Sequence, residues 1–261
     1  MGDARGQAGH HAFKRFFVAP AAVDGTTARF TAAQLHQLRR VLRLSTGDLV
    51  LVCDGSGWEY VVALGSATSS EGVVVEARAG RAEPMCRVHL FQSGLRGDHF
   101  SWLLQKATEV GVATFTPVLF SRTQPADYGG RLDRYRAIVQ EAAEQCERSS
   151  LPTVEVPLPF DRALERVPPD GSELSLLLDE REDRASLRSV LHGWFQVDAN
   201  RGRGCTVSVF VGPEGGLTQA ERSAAVVSGI TPVGLGRRIL RSETAGLVAA
   251  TLVLAAAGDL G

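Results

Sequence analysis

Hydrophobic and polar positions change rhythm once along the chain. From about residue 13 to 79, short apolar runs over 48–53, 58–64 and 72–77 are bounded by turn residues such as Asp54-Gly-Ser-Gly57, the texture of a small barrel or sandwich. One helix interrupts them. It opens with the capping box Thr31-Ala-Ala-Gln34, places Leu35, Leu38 and Leu42 on one face and Arg39, Arg40 and Arg43 on the other. After Gly80-Arg-Ala-Glu-Pro84, strands alternate with helices. Strands are predicted over 87–92, 113–120, 174–178, 206–211 and 232–235, and helices over 98–110, 131–148, 185–195, 218–227 and 242–257. This predicts an α/β domain with a mainly parallel sheet. Asp98 is expected to cap one helix, and Thr218-Gln-Ala-Glu221 is a second capping box. The expected organisation is a disordered tail over 1–12, a β-domain over 13–80 and the α/β domain over 84–261.

Composition narrows the class. Of 261 residues, 44% are hydrophobic and 22% charged, with 28 Lys+Arg against 29 Asp+Glu, which excludes a disordered chain, a collagen or a coiled-coil rod. The longest apolar stretch, 247–257, falls short of the ~20 residues that span a bilayer, and residues 1–11 have no apolar signal region. No membrane association and a cytoplasmic location are therefore expected. Cys53, Cys86, Cys146 and Cys205 are dispersed, and no His falls at ligand spacing, so reduced thiols and no metal are expected.

A near-neutral total leaves nucleic acid open, because local distribution decides phosphate binding. Lys14, Arg15, Arg29, Arg39, Arg40 and Arg43 face only Asp24 within residues 14–43. These cations suit RNA backbone contact, while Phe16, Phe17 and Phe30 read as core.

The most informative segment is Val211-Gly-Pro-Glu-Gly-Gly216, between an apolar strand and a capped helix. Its glycines let backbone groups approach a ligand at a strand's carboxyl end. It lacks the Lys and Ser/Thr of a P-loop. Gly234-Leu-Gly-Arg-Arg-Ile-Leu-Arg-Ser-Glu-Thr-Ala245 repeats the strand–glycine loop–helix arrangement, but Ile239 replaces the third glycine of a dinucleotide fingerprint. Arg237, Arg238 and Arg241 beside a helix start oppose its dipole and point to an anionic partner. Two polar stretches complete the set: Gln105-Lys-Ala-Thr-Glu-Val-Gly111 with Ser121-Arg122, and Glu141-Ala-Ala-Glu-Gln-Cys-Glu-Arg148. In the second, Glu141, Gln145 and Arg148 share one helical face. No Ser/His/Asp or Cys/His constellation is legible.

Taken in order, Gln105 to Gly111 with Pro117 and Ser121-Arg122, Glu141 to Arg148, Gly212-Pro-Glu-Gly-Gly216 and Leu235 to Ala245 resemble the RsmE family of SPOUT-class RNA methyltransferases. Phe13-Lys-Arg-Phe-Phe17 resembles that family's opening, and the likeness runs over nearly the whole chain after residue 12. The resemblance implies a PUA-like N-terminal β-barrel and a C-terminal domain threaded as a trefoil knot. It also implies a homodimer and S-adenosylmethionine as cofactor. The implied reaction is methylation of N3 of a specific uridine in the decoding region of 16S rRNA, with the small ribosomal subunit as partner. The cofactor would be held by Leu178, Val211, Gly212, Pro213, Gly216, Leu235, Gly236, Ile239, Leu240, Arg241 and Thr244. Glu214 and Glu243 stand as alternative proton acceptors or as structural ion pairs. Arg122, Arg148 and Arg241 are candidates for phosphate or for the developing uridine anion. The rival from another class is a non-catalytic rRNA-binding or ribosome-assembly factor.

Overall fold

A computed structural model describes residues 13–80, 83–95, 97–124, 130–197 and 204–260. The tail expected over 1–12 lies outside the described residues. Two units cluster separately: Met1–Ala82 with Glu147–Ser150, and Glu83–Cys146 with Leu151–Gly261. The linear boundaries at 80 and 84 do not contain the 147–150 excursion.

In the first unit, β1 (Arg15–Phe17), β2 (Thr27–Arg29), β3 (Leu49–Cys53), β4 (Trp58–Leu64) and β5 (Glu71–Ala79) form one sheet in the order β1-β3-β4-β5-β2. β1 runs parallel to β3, and the other pairs are antiparallel. β1 and β2 end the order, so strand pairing leaves the sheet open; the sequence predicts a small barrel or sandwich, and the resemblance implies the barrel. The capping box at Thr31 forms and starts α1 (Ala32–His36), which continues as a π-helical turn over Gln37–Val41. Leu38, Phe16, Phe30, Val50, Val52 and Val62 fill the core.

The second unit is a three-layer α/β/α sandwich. β6 (Arg87–Ser93), β7 (Thr114–Leu119), β8 (Thr153–Val154), β10 (Leu174–Leu178), β11 (Thr206–Val211) and β12 (Thr231–Val233) follow the order β12-β10-β11-β6-β7-β8, and β9 (Leu158–Pro159) pairs with β7. Every pairing is parallel. Strand alternation feeds two cores. Leu90, Leu176, Val209 and Val211 meet α2 (His99–Val110), α3 (Leu132–Gln145), α5 (Leu187–Gln196) and α7 (Ser242–Ala257) on one face. Phe91, Leu177 and Phe210 meet α4 (Phe160–Leu164) and α6 (Gln219–Val227) on the other.

Two local expectations are corrected. Asp98 precedes α2 without a side-chain capping bond; its carboxylate instead accepts from Arg134 Nη2 at 3.1 Å. α3 stops at Gln145. Glu147 takes a left-handed φ of +64°, and this break removes Arg148 from the helical face of Glu141 and Gln145. No helix among the described residues is long and apolar enough to cross a membrane.

Candidate cofactor cavity

Parallel α/β sheets bind ligands beyond the carboxyl ends of their strands, and here the ends of β10, β11 and β12 open onto a cavity of about 720 Å³. That volume lies within the usual ligand-site range of ~300–1,000 Å³. Both glycine segments wall it. Leu178, Val211, Gly212, Pro213, Glu214, Gly216, Leu235, Gly236, Ile239, Leu240 and Arg241 all line it, together with Asp179, Glu180, Arg237 and Arg238. From α7 the lining residues are Ser242 and Ala245, one turn apart on the same face. Thr244, off that face, does not line the cavity.

The glycines answer to geometry. Gly236 has φ +107° and open space where a Cβ would stand; any L-residue there is strained, and a side chain would enter the void. A Cβ on Gly212 would meet Leu217 Cδ2 at 2.9 Å. The Ser242 hydroxyl donates to the Gly212 carbonyl, and Gln92 Nε2 donates to Ser242 Oγ at 2.8 Å.

The first turn of α6 fastens the surrounding loops. In the Thr218 capping box, Glu221 Oε2 accepts from the Thr218 amide and hydroxyl, and Oε1 accepts from the Ser121 amide at 2.8 Å. Burial opposes the charge on Glu221, but these donors outweigh it and hold the carboxyl below its ordinary range. Arg222 bonds Asp179 and the Leu217 carbonyl. Arg122 is exposed, and its Nη1 donates to the Gly215 carbonyl at 2.9 Å. Asp179, Glu180, Gln92 and Arg222 carry no local sequence signal, because each acts through a partner distant in the chain.

The candidate acid–base residues separate. Glu214 is exposed in the cavity wall. Glu243 is 5% exposed and faces His99, with Nδ1 and Oε1 3.0 Å apart, and it does not line the cavity. Arg148 belongs to the first unit, where it is buried and its carbonyl accepts from Arg15 Nη1; it does not line the cavity either.

The N-terminal cations divide in the same way. Arg15 is half-buried and pairs with the buried Glu59 at 2.9 Å, Arg29 pairs with Glu71, and Arg39 donates to the carbonyls of Leu44 and Gly65. Lys14, Arg40 and Arg43 are exposed and form no ion pair among the described residues. Phe16, Phe17 and Phe30 are core. No cluster of three or more His, Cys, Asp or Glu among the described residues is placed to hold a metal ion.

The residues around the cavity suit a nucleoside-bearing zwitterion. Ile239 is 84% exposed, an apolar surface at the wall where a planar base can lie. Carboxylates and guanidinium groups border the same space, offering partners to an ammonium and a carboxylate. Fold and site together define a cofactor-binding α/β protein, and residues 81–254 match the family model described as RNA methyltransferase domain. The chain is 37% identical to Ribosomal RNA small subunit methyltransferase E of Synechocystis sp., covering 90% of this chain and 75% of that protein. It is 28% identical to the Bacillus subtilis protein of the same name, covering 88% and 90%. The chain belongs to this RsmE family of RNA methyltransferases. Its fold is similar to the crystal structure of Ribosomal RNA small subunit methyltransferase E from Neisseria gonorrhoeae bound to S-adenosyl methionine. There the TM-score is 0.77 and the identity 28%, over 91% of this chain and 95% of that one.

Proposed function

We propose that the protein is an S-adenosylmethionine-dependent enzyme that methylates N3 of one uridine in the decoding region of 16S rRNA within the small ribosomal subunit. The observation that carries this reading is the cavity at the ends of β10, β11 and β12, walled by both glycine loops. When bound, the cofactor supplies an electrophilic methyl group on a sulfonium. The apolar side chains of Leu178, Leu235, Ile239 and Leu240 would hold its adenine, and the backbones of Gly212 and Gly236 would offer polar contacts. Alignment of the methyl with the uracil nitrogen is the larger part of the work.

Loss of the N3 proton needs an acceptor. Glu214 takes that role because its carboxylate stands exposed at the cavity, whereas Glu243 is engaged by His99. Arg122 and Arg241 bind a flanking phosphate or the charge that develops on the uracil. The burial of Arg148 and its backbone bond with Arg15 favour a structural role in the first unit.

The first unit acts as a PUA-like RNA-binding domain whose free cations, Lys14, Arg40 and Arg43, meet phosphate. The second unit is of the SPOUT type, with loops 212–218 and 234–241 in a trefoil knot. The working form is a cytoplasmic homodimer. Support for the dimer comes from α7, which buries Gly246, Ala249, Ala250, Val253 and Leu254 but leaves Leu252 40% exposed, one turn from the half-buried Val248. An apolar outer face on an apolar helix suits a second copy.

Isothermal titration of the full chain with S-adenosylmethionine tests the cofactor assignment. Saturable binding is expected. Absence of affinity in folded protein would leave the non-catalytic rRNA-binding factor as the better reading.

A further inference from the structure

We propose that Arg222 is a positioning residue for the cofactor, acting from behind the cavity wall through Asp179 and Leu217; the inference rests on S-adenosylmethionine occupying the cavity. Arg222 does not line the cavity, but Asp179, Glu180 and Leu217 do. Its guanidinium grips the Asp179 carboxylate with two nitrogens, Nε to Oδ2 at 2.6 Å and Nη2 to Oδ1 at 3.3 Å. The remaining nitrogen, Nη1, donates to the Leu217 carbonyl at 2.7 Å. Nη2 also stands 3.6 Å from Glu180 Oε1. One side chain on α6 thereby ties the loop after β10 to the loop after β11.

The Arg222 and Asp179 side chains are only 11% and 6% exposed, and such a pair offsets its desolvation only when the remaining donors are satisfied. Here the Leu217 carbonyl satisfies the free arm. Asp179 Oδ1 additionally accepts from the Arg181 amide, so the carboxylate also fixes the turn that follows it. The planar fork of Arg makes three directed bonds, whereas the point charge of Lys cannot span the same set. Removing the guanidinium leaves a buried carboxylate uncompensated next to the cavity. The Asp179–Glu180 wall and the Leu217 end of the glycine loop then lose their common anchor. Their charge and spacing are what a cationic, nucleoside-bearing ligand would meet.

The test titrates full-length protein with S-adenosylmethionine for the unmodified chain and for Arg222→Met, Arg222→Lys, Asp179→Asn and the Asp179→Asn/Arg222→Met double variant. Thermal unfolding of each free protein is followed in parallel. Arg222→Met should raise Kd about tenfold or more, with Arg222→Lys intermediate. The double variant should bind no worse than the weaker single variant, since both remove one interaction. With small-subunit substrate, the cofactor KM should rise while kcat is held. A Kd within twofold of the unmodified protein for folded Arg222→Met overturns the proposal, as do fully additive losses. If Arg222→Met does not fold, Arg222→Lys and Asp179→Asn decide by the same Kd criterion. If the unmodified, folded protein shows no affinity, the cofactor reading fails and this inference with it; normal affinity of the unmodified chain with unaltered variants rejects the inference alone.

Discussion

The Ser242 hydroxyl, at the first position of α7, donates to the carbonyl of Gly212 at the end of β11 across 2.7 Å. The same oxygen accepts from Gln92 Nε2, the buried amide of β6. One hydroxyl thus joins the two glycine segments that wall the cavity. Ser242→Ala leaves the Gln92 amide N–H without its acceptor and the Gly212 carbonyl without its donor, at an expected cost of about 1–3 kcal/mol. Urea unfolding and cofactor titration should both show the loss; unchanged binding would separate this bond from the site.

Gly236 lines the cavity at φ +107°. Gly236→Val is expected to strain the backbone by about 1–3 kcal/mol and to push side-chain atoms into the ligand space. Cofactor affinity should be abolished in protein that still folds. Near-normal Kd in a folded Gly236→Val variant would refute the assignment of this loop.

His89 gives the second unit a pH dependence. Its ring is held by burial well below the ordinary value, at about 4; Glu155 partly opposes that shift, and Arg87 and Arg166 reinforce it. Nε2 lies 2.7 Å from Thr116 Oγ1. The unfolded chain takes up this proton near pH 6.5, so the unfolded state binds more protons between about pH 4 and 6.5. Stability is therefore full above that window and falls as pH drops through it, by up to about 1.4 kcal/mol per pH unit. Glu221, also held low, adds loss in acid, so a variant comparison is needed. Urea midpoints at pH 4.5 and 7 should differ less for His89→Gln than for the unmodified chain; equal differences would contradict the assignment.

Arg40 and Arg43 are exposed cations of the first unit without ion pairs among the described residues. Replacing both with Ala should weaken rRNA binding and lower the slope of log K against log salt by about 2, with little change in Tm. Arg15→Ala, by contrast, strips one of two guanidinium partners from Glu59, which is 6% exposed and keeps Arg78 Nε at 3.0 Å, and should destabilise the unit by about 1–3 kcal/mol. An unchanged salt slope in the Arg40/Arg43 variant would remove this surface from RNA recognition.

What was legible in the sequence was local. Both capping boxes formed, at Thr31 and Thr218, and the apolar strands ending at Leu178 and Val211 lie side by side in a parallel sheet. The glycine segments are readable because strand end, glycine and helix start lie within a dozen residues. What was not legible depends on distance. The basic cluster reads as unopposed within 14–43, yet Arg15 finds Glu59 and Arg29 finds Glu71, 44 and 42 residues away. Arg222 finds Asp179 across 43 residues. β8 and β9 have two residues each, too few for any periodicity. The Glu141 to Arg148 segment reads as one helical face until Glu147 enters the left-handed region, which composition does not announce.

Methyl transfer to one uridine is tested by incubating the protein with methyl-labelled S-adenosylmethionine and small ribosomal subunits that lack the modification. The 16S rRNA is then digested and the labelled nucleoside identified. Label is expected in N3-methyluridine from a single position in the decoding region, lost in Gly236→Val. Label in a different nucleoside, or none with folded and cofactor-bound protein, would contradict that expectation.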